Sequence, residues 1–206
     1  MFFISDTHFG HRNIIDFCHR PFGSVTEMDE ALVENWNKLV TPQDHIYHLG
    51  DVTMDRSSAH KAAFSRLVSR LNGHKRLIMG NHDHFPVRVY LDAGFEKVMS
   101  YQRLDHYWFM HVPCHPSSVG SARAIIHGHV HNNQPGAFPA VMRLDKETQR
   151  VSWIPYINIC VEETNYHPVS FDWIKEKVNH EAKESKFTKT PTQGVPDLEE
   201  ELAPRP

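Results

Sequence analysis

Aspartate, histidine and asparagine recur in this chain just after short apolar runs, and these are residues that ligate cations. Phe2-Phe3-Ile4 runs into Asp6 and His8, and Ile46-Tyr47-His48-Leu49 into Gly50-Asp51. Leu77-Ile78-Met79 runs into Gly80-Asn81-His82-Asp83, and Ala124-Ile125-Ile126 into His127-Gly128-His129-Val130-His131. On an extended backbone, side chains at i and i+2 point the same way. Asp6 with His8, and His129 with His131, can then each grip one ion. Asp51, Asn81 and His111 complete a set of seven, too many for one ion and suited to two that share a bridge. Carboxylate, amide and imidazole together suit manganese or iron, with zinc also in range.

These side chains need elements to carry them. Short β-rich runs with chelating residues at their C-terminal ends predict strands meeting at one crevice. Met28, Ala31, Leu32, Trp36 and Leu39 follow the helical repeat, so Thr26–Val40 reads as a helix. Ser24 with Glu27, or Thr26 with Asp29, fits a capping box at its start. Ser57 or Ser58 opens a second helix to Leu71, and Pro86 a short one ending near Gly94. Ile14–Phe17 reads as one helical turn. Strands are expected at Met1–Ile4, His45–Leu49, Arg76–Met79 and Phe95–Val98. This alternation argues for a layered α/β core. A hairpin follows at Tyr101–Leu104 and Tyr107–Met110. Further strands are expected at Ala124–Ile126, Val141–Leu144, Val151–Ile154 and Ile157–Val161, then a helix from Ser170 to about Asn179. One domain over 1–180 and a charged, Pro-containing, weakly packed tail over 181–206 are expected.

Composition narrows the class. The 206 residues suffice for one domain with a full core. A net charge of −3 gives no global basic footprint for nucleic acid. No apolar run approaches a membrane span, and the N-terminus lacks a basic flank and long apolar segment. Cys18, Cys114 and Cys160 form no metal-spaced pair and read as reduced thiols, so a cytoplasmic protein is expected. The 17 histidines exceed what the motifs use. His11, His84, His115 and His127 read as neighbours of the site; His45, His48, His74 and the rest as surface or core. Cys114 reads as a small buried thiol, and the four tryptophans as core.

Asp6-Thr7-His8, Gly50-Asp51, Gly80-Asn81-His82-Asp83, His111 and Gly128-His129-Val130-His131 resemble the five blocks of the calcineurin-like metallophosphoesterases. The resemblance covers Met1 to about Asn179. Asn158-Ile159-Cys160-Val161 through Tyr166-His167-Pro168-Val169-Ser170 also resembles the closing strand and helix of the small bacterial and phage members. It implies a four-layer α/β/β/α sandwich, two mixed sheets flanked by helices. It implies two divalent ions, manganese first, with iron, zinc, nickel or cobalt as alternatives. Asp6, His8, Asp51 and His131 would hold one, and Asp51, Asn81, His111 and His129 the other. A hydroxide between them would attack phosphorus in line. His82 would contact the phosphate and protonate the leaving oxygen. Where the protein-phosphatase branch has an aspartate that orients this histidine, this chain has Met54. Asp55 and Asp83 are the nearby candidates for that orienting partner.

Arg12 and Asn13 follow the first ligand pair and are candidate phosphate or base contacts, Arg for its fork of donors. Arg20 is a weaker one. The expected activity is hydrolysis of small nucleotide phosphodiesters, such as 2′,3′-cyclic nucleotides, because the chain is barely longer than its motifs require. A phosphomonoesterase or nucleotide-pyrophosphate hydrolase would use the same site. A nuclease and a non-catalytic interaction module are the remaining readings. No membrane partner is expected.

Overall fold

A computed structural model of the chain describes residues 1–54, 58–132, 140–144 and 151–187. Two five-stranded mixed sheets stack face to face and are flanked by helices, the α/β arrangement expected. In the first sheet β1 (Phe2–Ile4), β2 (His45–His48), β3 (His74–Ile78) and β4 (Phe95–Met99) are parallel. A short strand, β10 (Val169–Ser170), joins antiparallel on the outer side of β1. In the second, β5 (Tyr101–Leu104) and β6 (Tyr107–Met110) form the expected hairpin. The strands β6, β7 (Ala124–His127) and β9 (Val151–Asn158) are parallel, and β8 (Ala140–Leu144) closes the edge antiparallel to β9.

Side-chain alternation explains the layers. Phe3, Tyr47, Leu49 and Ile78 from the first sheet meet Phe109, Ala124, Ile126 and Ile157 from the second in one buried cluster. The other parity, Ile4, Ile46 and Leu77, faces the helices. These are α1 (Arg12–Phe17), α2 (Val25–Leu39), α3 (Ser58–Val68) and α4 (Val87–Ala93). The outer face of the second sheet packs Met110, Ile125, Ile154 and Tyr156 against Val119 and Ala122 of the loop before β7. The last helix, α5 (Phe171–Phe187), adds Ile174 and Val178 to the inter-sheet cluster.

Local signals worked where chain neighbours decide. Ser24 caps α2, its hydroxyl accepting the Glu27 N–H at 3.1 Å while Glu27 takes the Gly23 N–H at 2.8 Å. Asp29, the other capping candidate, instead accepts the Gly10 N–H. Pro86 and a left-handed Gly94 bracket α4 as expected. Three expectations change. Val151–Ile154 and Ile157–Val161 are not two strands: β9 runs unbroken through Pro155. Pairing with β7 starts one residue later, at Tyr156, so the missing proline N–H breaks no ladder bond there. Strand β10 was not expected. Helix α5 continues past Asn179 to Phe187, so the charged tail begins as helix. Ser57, Asp55 and the tail beyond 187 lie outside the described residues. Among the described residues, no helix is long and apolar enough to cross a membrane.

Candidate metal centre

Parallel strands in both sheets run toward one edge of the sandwich, and the chelating residues leave their C-terminal ends there. Asp6 and His8 follow β1, Asp51 follows β2, and Asn81 and His82 follow β3. His111 follows β6, and His129 and His131 follow β7. Asp6, His8, Asp51 and His111 are at most 2% exposed.

The local backbone differs from the expectation. Asp6 and His8 are not on extended chain, and neither are His129 and His131. Asp6 (φ 59°), His8 (51°), Asp51 (56°), His129 (73°) and His131 (48°) are all left-handed. Such residues persist only where surrounding structure over-determines them, and they gather at functional sites. The paired side chains still converge, but through tight turns rather than a pleat. Two glycines permit the approach. A Cβ on Gly80 would press into the Asp51 carboxylate, and one on Gly128 into the Ser5 hydroxyl and the Asp6 carboxylate.

Asp51 sits between two groups. Its Oδ2 lies 3.6 Å from His8 Nε2 and 3.3 Å from His111 Nε2. Asp6 Oδ1 lies 3.9 Å from His8 Nε2 and 3.6 Å from His131 Nε2. On the far side, Asp51, His111 and His129 bring one donor each within 4.8 Å of one another. The Asn81 side-chain Oδ1 is 2.8 Å from His111 Nε2. Asp6 Oδ1 and both ring nitrogens of His8 are buried with no hydrogen-bond partner among the described residues. Two ligands about 2.1 Å from one ion end up roughly 3–4 Å apart. The spacings and the orphaned atoms therefore fit cations at this place.

The titration behaviour follows from this crowding. Burial pushes the Asp51 carboxyl up, but His111, His8 and the His82 N–H outweigh it and hold it below the usual carboxylate range. Burial holds His8 well below the usual histidine value. Burial works the same way on His131, yet hydrogen bonding to Cys18 and Glu162 and the Asp6 charge raise it to about 10.

His82 donates its backbone N–H to Asp51 Oδ1 at 2.8 Å, and its ring lies 5.8 Å from that of His8. Its Nδ1 is buried without a partner among the described residues. Asp83 does not orient it. That carboxylate takes the backbone N–H groups of Asp51, Val52 and Gly80, binding the loops after β2 and β3 together. Arg12 and Asn13 start α1 on the surface, where Arg12 pairs with Asp16 at 3.1 Å. His11 lies nearer, its ring 5.5 Å from that of His8.

Several further residues matter here, and apart from Arg20 none was a candidate contact from sequence. Glu162, just past β9, accepts from His131 Nδ1 at 3.0 Å. The same carboxylate pairs with Arg20 at 2.8 Å. Arg20 is buried and donates to the backbone oxygens of Asp6 and Thr7, both at 2.8 Å. One guanidinium thus holds the Asp6–Thr7 turn and, through Glu162, His131. Cys160 Sγ donates to Asp6 Oδ2 at 3.1 Å. His48 Nδ1 accepts the Gly50 N–H, so Nε2–H faces Thr7 Oγ1 at 2.9 Å. Only Arg20 carried a sequence signal, as a basic residue near the first motif.

What the fold and the centre define is an α/β two-sheet protein with a buried histidine–carboxylate cluster at its strand ends. No family model matches the chain. It is 38% identical over 176 residues to the uncharacterized protein MJ1445 of Methanocaldococcus jannaschii, covering 84% of this chain and 88% of that one. The chain belongs to one family with MJ1445. The crystal structure of the protein of unknown function AQ665 from Aquifex aeolicus superposes with a TM-score of 0.64 at 30% identity, covering 86% of this chain and 98% of that one. Pseudomonas putida nuclease MPE superposes with a TM-score of 0.46 at 20% identity, covering 76% of this chain and 72% of that one.

Proposed function

We propose that the chain is a dinuclear, metal-dependent phosphoester hydrolase. Asp6, His8 and His131 would hold one divalent cation and Asn81, His111 and His129 another, with Asp51 within reach of both groups. Manganese is the favoured ion. The observation that carries this reading is the single Asp51 oxygen lying between His8 at 3.6 Å and His111 at 3.3 Å. A cation pair supplies an activated water and offsets phosphoryl charge. The chain's own contribution is orientation and proton supply. Asp83, Arg20 and Glu162 fix the ligand turns. His82, held beside His8 by its N–H bond to Asp51, gives a proton to the departing oxygen, a role worth about 10²–10⁴-fold.

The substrate class proposed is small nucleotide phosphodiesters, including 2′,3′-cyclic nucleotides. A panel under a metal series tests both levels. We expect manganese-dependent turnover of bis-p-nitrophenyl phosphate above that of p-nitrophenyl phosphate. A preference for the monoester would overturn the substrate class. No hydrolysis of either ester with manganese, iron or zinc would overturn the activity.

A further inference from the structure

A second group of donors sits at the opposite end of the first sheet, on three neighbouring strands. His45 opens β2, His74 opens β3, and Glu96 is the second residue of β4. His45 and His74 face each other in register, their rings 5.0 Å apart. His74 Nδ1 lies 2.5 Å from Glu96 Oε1. One ligand atom from each residue falls within 4.8 Å of the other two, and all three are exposed. The strand ends are clamped, since the His74 N–H donates to the Asp44 carbonyl at 2.7 Å.

A His74–Glu96 ion pair alone has no need of His45. Two imidazoles and one carboxylate at this spacing are the donor set of an open zinc-type site, with a position left for water. His45 opens β2 and Asp51 lies past its other end, across 4 strand residues, roughly 13 Å at ~3.3 Å each. The group therefore shares no ligand with the buried centre.

We propose that His45, His74 and Glu96 form a separate, solvent-facing site for a transition-metal dication of the zinc class. Bound there, the ion ties β2, β3 and β4 together at their open ends. An ion that binds only the folded chain stabilises it in proportion to its occupancy.

The test uses the metal-free full-length chain titrated with zinc, followed by calorimetry and elemental analysis. Wild type is compared with His45→Ala, His74→Ala and Glu96→Gln, with far-ultraviolet circular dichroism confirming each fold. We expect each alanine variant to bind one zinc fewer and Glu96→Gln to bind that zinc more weakly. Saturating zinc should raise the thermal midpoint of wild type more than that of the variants. Unchanged stoichiometry and affinity in the alanine variants would overturn the site. Unchanged affinity in Glu96→Gln would overturn the three-donor assignment.

Discussion

The two ends of the first sheet carry the same kinds of side chain and treat them in opposite ways. At one end Asp6, His8 and Asp51 are at most 1% exposed and left-handed, and Asp6 and Asp51 are pressed against glycine backbone. At the other, His45, His74 and Glu96 lie on ordinary strand backbone in contact with solvent. An exposed imidazole is satisfied by water. A buried polar atom left without a partner costs about 1–3 kcal/mol. Asp6 Oδ1 and the His8 nitrogens have no hydrogen-bond partner among the described residues, and a bound cation would meet that need. Residue type therefore does not distinguish a built centre from a surface cluster. Burial, strain and unmet hydrogen-bonding capacity do.

Asp51→Asn should break the contrast most. Turnover of bis-p-nitrophenyl phosphate should fall by on the order of 10³-fold, the scale of losing a principal electrostatic group. Manganese content should fall below that of wild type. A variant that keeps both its ions and its rate would mean Asp51 is not shared. His82→Ala comes next, with a loss of about 10²-fold on a diester with an alkyl leaving group, the lower end of the general-acid range. The loss on a p-nitrophenyl ester should be smaller, because p-nitrophenolate departs without a proton, and metal content should not change. Equal losses on both esters would remove the acid role.

Glu162→Gln should weaken metal binding by roughly 10–100-fold through loss of the group that orients His131. Its effect on stability should also depend on pH. Burial pushes Glu162 up, but the His131 hydrogen bond and the Arg20 charge outweigh it and lower its pKa from the usual 4.5. A carboxyl lowered by folding stabilises above its unfolded pKa and loses that contribution as pH falls through its folded pKa. The stability gap between wild type and Glu162→Gln should therefore be full above about pH 4.5 and shrink below it. Urea titrations at pH 7 and pH 3 check this. A gap independent of pH would argue against the charge pair.

Gly128→Ala should destabilise by about 1–3 kcal/mol, since the new methyl must displace Ser5 or Asp6. Urea denaturation measures it, and an unchanged midpoint would show that the turn yields easily. The smallest effect belongs to the exposed end. Without added metal, His74→Ala should shift stability by no more than about 0.5 kcal/mol. A larger loss would mean that the surface cluster is structural.

The clustering of the candidate residues was legible because each follows an apolar run, and that order is written locally. The reason first given for the Asp6–His8 and His129–His131 spacings was not the real one. An extended pleat was expected, and left-handed turns were found. Side chains alone do not announce a positive φ; the glycine-lined crowding around Asp51 and Asp6 imposes it. The hairpin at Tyr101–Met110 and the cap at Ser24 were legible for the same local reason. Strand β10 was not, because two residues have no periodicity and pair only where β1 offers an edge.

By itself, the sequence determined most of the strands, the capped helices and the placing of polar, chelating side chains after apolar runs, since period, caps and turns depend on residues within a few places of one another. It did not determine which of the 17 histidines meet buried carboxylates and which meet water. Nor did it reveal Arg20 and Glu162 as a buried pair 142 positions apart, or the His129 N–H on an Asp6 oxygen across 123 positions. Only the tertiary structure decided those, because burial and charge pairing are set by what the folded sheets bring together, and that distance is not encoded in any local stretch of chain.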